Sequence, residues 1–282
     1  MINLLVEVPE VLPEGFFPQV GFFFQYYWQS FLSGIGTTLL LSVLGTIFGF
    51  ILGLGLSFLR KFEIDKTDST IVGILKRIAK GIAYCYIEFF RGTPMMVQAI
   101  CIYYGVSYII GRGWPNIVAA IIVVSLNTAA YMAEIIRSGI NAIDKGQIEA
   151  SRSLGMSQRK TMFYVVLPQA IKNVIPAIGN ELVVNIKDTS VLSAIMVSDL
   201  FYNAQKITLE WYEQFPVYFI VCILYLILTL TFTNLLKLVE KKLNIKSYIS
   251  KPVSVTTPEG FANNKNIHKG YDRESQSEER RL

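Results

Sequence analysis

FLSGIGTTLLLSVLGTIFGFILGLGLSFL, residues 31–59, decides the fold. It contains no Asp, Glu, Lys or Arg, and the charge-free run reaches back to residue 15. A helix needs about 20 apolar residues to cross the hydrocarbon core of a bilayer, and this run exceeds that length. Three more charge-free blocks follow, over residues 92–111, 113–133 and 214–236. The 282-residue chain is 52% hydrophobic and only 17% charged, with mean hydropathy +0.43 and net charge +5. Soluble domains carry about 25% charged residues. So little charge cannot coat a water-exposed globule of this size, and the chain is read as an all-α integral membrane protein.

Five crossings are expected. The first lies within residues 31–59, the second from about 79 to 110, the third from 114 to about 138 and the last over 215–236. Residues 173–199 are apolar but interrupted by Glu181, Lys187 and Asp188. They form the fourth span, because a polar pathway between helices requires intramembrane charge. Ahead of the first span stand Phe16, Phe17, Phe22, Phe23, Phe24, Tyr26, Tyr27 and Trp28. Aromatic rings favour the headgroup zone, so residues 1–30 read as an extracytoplasmic, interfacial segment. With Glu7, Glu10 and Glu14 and no basic residue before it, this is no cleavable signal.

Basic residues set the direction. Arg60, Lys61, Lys66, Lys76, Arg77 and Lys80 gather after the first span, and Arg137, Lys145, Arg152, Arg159, Lys160 and Lys172 after the third. Ten more follow Leu236, whereas the opposite loops hold only Arg112 and Lys206. The positive-inside rule puts the N-terminus outside and the C-terminus in the cytoplasm. The membrane domain is bounded at residues 31–244. The polar stretch 245–282 is expected to be a disordered cytoplasmic tail.

Composition also excludes chemistry. Cys85, Cys101 and Cys222 are widely spaced in apolar sequence and offer no disulfide or zinc framework. The single histidine, His268, lies in the polar tail, which removes histidine metal sites and Ser–His or Cys–His catalysis. No Gly-Lys pair exists to build a phosphate-cradling loop. The chain is therefore not read as an enzyme, and no nucleic-acid partner is called for. Energy-driven work would need nucleotide bound by another chain.

Between spans three and four, residues 141–170 carry Glu149, Ala150, Ser151 and Gly155, then Leu167 and Pro168. A helix is expected over 145–153, ended by Gly155, and a second begins near Ser157 as N-cap. The resulting helix–turn–helix at the cytoplasmic mouth presents small residues beside Glu149 and Arg152. It suits docking into a groove, although a solvated loop of no special role has the same composition.

The stretch between Glu149 and Pro168 resembles the EAA loop of ABC-transporter permeases, with Ser151 in place of the usual third-position Ala. FFRGTPMMVQ (residues 89–98), NTAAYMAEIIRSGI (127–140), KGQIEASRSLGMS (145–157) and GNELVVNIKDTSVLSAI (179–195) are similar to the polar amino acid permeases of the histidine/glutamine/arginine class. That resemblance implies a type I ABC importer permease fold, with Glu149, Ala150, Ser151, Gly155, Leu167 and Pro168 forming a coupling helix for a separate ATPase. It further implies a second permease subunit, as a copy or a related chain, and two ATP-binding subunits holding ATP and Mg. An extracytoplasmic amino acid-binding protein completes the assembly in the bacterial cytoplasmic membrane.

Glu181 and Asp188 are two helical turns apart and point to nearly one side of span four. A lone carboxylate in hydrocarbon costs at least ~2.5 kcal/mol. The pair therefore lines a polar pathway for an amino group or meets structural cations such as Arg91 or Lys187. Asn127 is a second pathway candidate, while Glu134, on its face of span three, is assigned to a structural pair. Arg91 and Thr93, in the Arg-Gly-Thr-Pro sequence that ends at Pro94, are either substrate contacts or parts of a helix elbow. A small ion channel or secondary transporter remains the alternative, and it would need neither the 145–168 loop nor ATP.

Overall fold

Helix α1 runs unbroken from Phe16 to Arg60, so the aromatic cluster belongs to the same helix as the first crossing. At about 1.5 Å per residue its 45 residues exceed the hydrocarbon thickness twice over. The computed structural model describes residues 11–60 and 69–242. Residues 1–10, most of the polar loop after Glu63 and the tail over 245–282 lie outside the described residues.

One face of α1 is a buried stripe of Gly34, Thr38, Ser42, Gly45, Thr46, Gly49, Gly53 and Ser57. Lipid gives two helices no hydrophobic reason to associate, so close backbone approach between small residues does that work. The stripe meets α4 (Asn116–Asn141). Gly45 lies on Val124, Gly49 on Thr128 and Gly53 on Met132. Partner numbers rise together, so α1 and α4 run parallel. A Cβ on Gly53 would stand 2.6 Å from the Met132 Cβ and 2.8 Å from the Ala129 carbonyl oxygen.

Helix α7 (Leu167–Asp188) runs the other way. Gly139 of α4 faces Val174 of α7, and Thr128, further back on α4, meets Asn185, further along α7. Helix α9 (Phe215–Lys242) begins where α1 begins: Val217 and Ile220 pack with Phe22 and Phe23. Because α1 and α4 are parallel, the chain between them must return across the membrane. That crossing consists of α2 (Thr70–Gly92) and α3 (Met95–Ile110), bent by 111° between them. With 16 residues, α3 is too short to cross alone. The crossings therefore number five, the second being a broken pair that begins earlier than the expected residue 79.

The fourth crossing also begins earlier than expected, because residues 158–195 are continuously helical. After α6 (Gln158–Thr161) the helix widens to π-form over Met162–Val166 and then resumes as α7. The widening precedes Pro168, which has no N–H to donate. Past α7 the helix tightens to 3₁₀ over Thr189–Ile195, and Met196 ends it with φ 59°. The sequence reading missed the next element, α8 (Leu200–Trp211), which packs Leu200, Ala204 and Ile207 against α1 and α9.

Tyr27 and Trp211 close that end, with Trp211 Nε1 donating to the Tyr27 hydroxyl, which itself donates to Glu210. Phe22 and Phe23 are buried, whereas Phe17, Phe24 and Trp28 are exposed. Ile47, Phe48, Ile51, Leu226, Ile227 and Leu230 are exposed apolar residues of the kind lipid covers.

Candidate functional site

The loop after α4 forms a small helical knob. Helix α5 (Lys145–Ser153) starts on Asp144, whose carboxylate accepts the Gly146 N–H at 2.7 Å. It stops through paired backbone bonds: Gly155 N–H donates to Arg152 O at 2.9 Å and Met156 N–H to Ser151 O at 3.1 Å. This closure needs a left-handed residue, and Gly155 supplies it with φ +80°. Ser157 then caps α6 by accepting the Lys160 N–H.

Ser151 faces inward, 5% exposed, donates to Ile148 O at 2.8 Å and is joined hydroxyl to hydroxyl with Thr161 Oγ1 at 3.0 Å. It therefore ties α5 to α6, which a third-position Ala could not do by hydrogen bonding. Glu149 and Ala150 remain exposed, and Leu154 is 83% exposed at the tip. Phe163 and Tyr164 add exposed apolar surface beside it. Leu167 is half-buried and Pro168 exposed where the chain enters α7. A charged group, small residues and an uncovered leucine thus stand exposed on a hydrogen-bonded turn.

On α7, Glu181 is half-buried and Asp188 exposed at the helix end, within electrostatic reach of each other. Neither forms an ion pair among the described residues. Arg91, one proposed structural partner, instead places its guanidinium 5.7 Å from the centre of the Tyr131 ring. Glu134 is the paired acid: Arg60 of α1 meets one oxygen, and Arg137 donates to the other at 2.7 and 2.9 Å. That is the structural pair expected of it.

Asn127 and Thr93 come together at the α2–α3 elbow. Proline at 94 leaves carbonyls of the last turn of α2 without helical partners. Thr93 Oγ1 donates to Phe89 O at 2.8 Å, and Gln98 Nε2 donates to Phe90 O at 2.9 Å. Asn127 Nδ2 donates to Gln98 Oε1 at 2.9 Å and to Phe90 O at 3.4 Å. These amides satisfy the bend from inside the protein, as non-helical backbone at membrane depth requires. No group of three His, Cys, Asp or Glu able to hold a metal occurs among the described residues.

Residues 69–245 match the family of binding-protein-dependent transport system inner membrane components. The arginine transport system permease protein ArtQ of Bacillus subtilis is 38% identical over 212 residues, 75% of this chain and 91% of the relative. The glutamine transport system permease protein GlnP of Escherichia coli K12 is 34% identical over 216 residues, 76% and 93% of the two chains. The chain belongs to this family. A crystal structure of an amino acid ABC transporter with histidines matches this inner membrane component with a TM-score of 0.71 and 38% identity, covering 82% of this chain and 99% of that one. The MetNI methionine ABC transporter, at 19% identity and a TM-score of 0.61, shares the fold. The fold is that of type I ABC importer permeases.

One residue of this inner membrane component escaped the sequence reading. Asn185, 3% exposed on α7, donates to Thr46 Oγ1 of α1 at 2.9 Å and to Thr128 Oγ1 of α4 at 3.1 Å. Three crossings are thereby tied at one level. Its signal was present, since Asn185 lies one helical turn beyond Glu181 and one before Thr189. A search for charge passes over an amide.

Proposed function

We propose that this chain is the membrane-spanning permease subunit of an ATP-driven importer of polar amino acids. The observation that carries the reading is the exposed α5–α6 knob, with Glu149, Ala150 and Leu154 outward and Ser151 locked inward. Permeases named for arginine and glutamine transport support the cargo class.

ATP and Mg reside in two partner ATPase subunits, and each grips one knob. Five crossings enclose too little volume for a closed pathway, so a second permease subunit pairs with this one. An extracytoplasmic binding protein delivers the amino acid at the α8 end. The N-terminus lies outside and the C-terminus in the cytoplasm, as the basic loops direct. Closure of the ATPase pair on ATP pulls the knobs together and tilts the two permease halves between inward-facing and outward-facing arrangements. Glu181 and Asp188, which form no ion pair among the described residues, face the pathway and attract the cargo's ammonium group.

Reconstitution tests this directly. The chain, its permease partner, the ATPase and the binding protein are placed in proteoliposomes, and uptake of labelled amino acids is competed with each of the twenty. ATP-dependent uptake that Glu149→Arg abolishes, together with ATPase association, is the expected result. Uptake that persists without the ATPase overturns the reading.

A further inference from the structure

Helix α2 buries little of itself. Ala83, Ile87 and Phe90 are its buried residues, and none from Thr70 to Ile82 is. Those first turns are nevertheless two-sided. Ile71, Ile74, Leu75, Ile78 and Ile82 follow the three–four spacing that gathers residues on one helix face. They are 50% to 71% exposed. Arg77, exposed, and Lys80, half-buried, point away from that face. Neither forms an ion pair among the described residues. Lys76 stands beside them and is engaged within the chain.

The depth of these turns follows from their neighbours. Arg60 ends α1 after its charge-free run and holds its guanidinium 5.9 Å from the centre of the Tyr84 ring. It also meets Glu134, near the end of α4 that leads into the knob. Tyr84 therefore marks the level at which α1 leaves the hydrocarbon, and the turns before it belong to the headgroup layer at the knob's end. The 111° bend at Pro94 keeps α2 and α3 from both standing upright, so α2 can run aslant through that layer.

Five large apolar side chains left in water would be costly. Their face continues along the helix to Phe89, 58% exposed within the crossing itself, so one side of α2 meets hydrocarbon from end to end. An apolar face backed by cations at a bilayer surface draws anionic lipid. We propose that the first turns of α2 lie in the headgroup layer and recruit anionic phospholipid through Arg77 and Lys80. Charge complementarity and continuity with the lipid-facing side of the crossing select this partner over an ATPase surface. The contact goes beyond the importer reading and involves no cargo.

Lipid quenching in the complete complex tests the contact. Cys85, Cys101 and Cys222 are replaced by Ser, and an environment-sensitive dye is attached at Ile78→Cys. The complex is placed in phosphatidylcholine bilayers that contain a nitroxide-bearing phosphatidylglycerol or, in parallel, a nitroxide-bearing phosphatidylcholine. Phosphatidylglycerol should quench at the lower bilayer fraction, by about fivefold for each basic side chain that attracts it. Arg77→Gln with Lys80→Gln should bring the two lipids together, whereas Arg77→Lys with Lys80→Arg should keep the preference. Equal quenching by both lipids in the parent overturns the proposal, and so does a preference that survives the glutamines or is lost in the charge-keeping pair. A dye that neither lipid quenches lies under protein, which overturns it too.

Discussion

Gly53 and Gly55 stand two residues apart on α1 and should answer the same substitution in opposite ways. A Cβ at Gly53 meets Met132 and the backbone of Ala129 and Ala133, none of which can swing aside, while nothing lies within 4 Å of Gly55. Gly53→Ala is expected to force α1 from α4 and destabilise by about 1–3 kcal/mol, the usual range for overpacking. Gly55→Ala should be neutral or stabilising by up to about 1 kcal/mol through helix propensity alone. Thermal unfolding in mild detergent distinguishes them, and equal midpoints for the two variants would refute the close α1–α4 seam. Asp199 carries a second residue-scale prediction, in pH. Burial pushes its carboxyl from 3.8 up to about 6, against the opposing Tyr202 N–H. The folded state then binds the proton more tightly than the unfolded chain. Stability from this group is complete below pH 4 and lost as pH climbs through 6, on the order of 3 kcal/mol in all. The thermal midpoint should therefore rise from pH 7 to pH 5 in wild type and respond less in Asp199→Asn, which keeps the cap. An undiminished response in that variant would assign the titration to another group.

At the scale of elements, the turn between α5 and α6 depends on one backbone conformation. Gly155 has φ +80° and open space around it, so a side chain there meets strain and no clash. Gly155→Ala should weaken the turn by roughly 1–2 kcal/mol, while Gly155→Asn, better suited to left-handed backbone, should cost less. Uptake measured against ATPase association should fall in that order, Ala below Asn below Gly, and an Ala variant with full coupling would show that the turn need not be rigid. This hairpin was legible in the sequence because Gly155 and Ser157 act locally, while the Asp144 cap was found only in the structure. The charge-free blocks were legible for a similar reason, since bilayer thickness sets their length whatever packs beside them. Elements whose form depends on distant partners were not. Helix α8 mixes Leu200, Ala204 and Ile207 with Asn203, Gln205 and Lys206, and only α1 and α9 give its apolar side something to cover. The bend at Pro94 announces a break, but its 111° angle rests on Gln98 and Asn127 reaching across to Phe90. Asn127, expected at the pathway, is held in that elbow, and Asn185 ties three crossings with no charge to mark it.

For the molecule as a whole, parallel packing makes the topology a geometric matter before charge enters. With α1, α4 and α9 running one way and α7 the other, Arg112 and Tyr212 must lie at one end of the bundle and Gln147 at the other. The proposed orientation rests on charge, because the loops around Arg112 and Lys206 are poor in Lys and Arg while those around residues 60–80 and 137–172 are rich. Orientation can be checked in a variant whose exposed Cys85, Cys101 and Cys222 are replaced by Ser, with single cysteines placed at the exposed Arg112, Gln147 and Tyr212. A membrane-impermeant maleimide applied to intact spheroplasts should label Arg112→Cys and Tyr212→Cys at once. Gln147→Cys should label only after the membrane is opened. The reverse pattern would keep the five crossings and invert the charge argument, turning the knob away from any cytoplasmic ATPase. Labelling of positions 112 and 147 from the same side would break the crossing count itself, since α4 alone separates them, and with it the parallel seam of glycines from which the count was drawn.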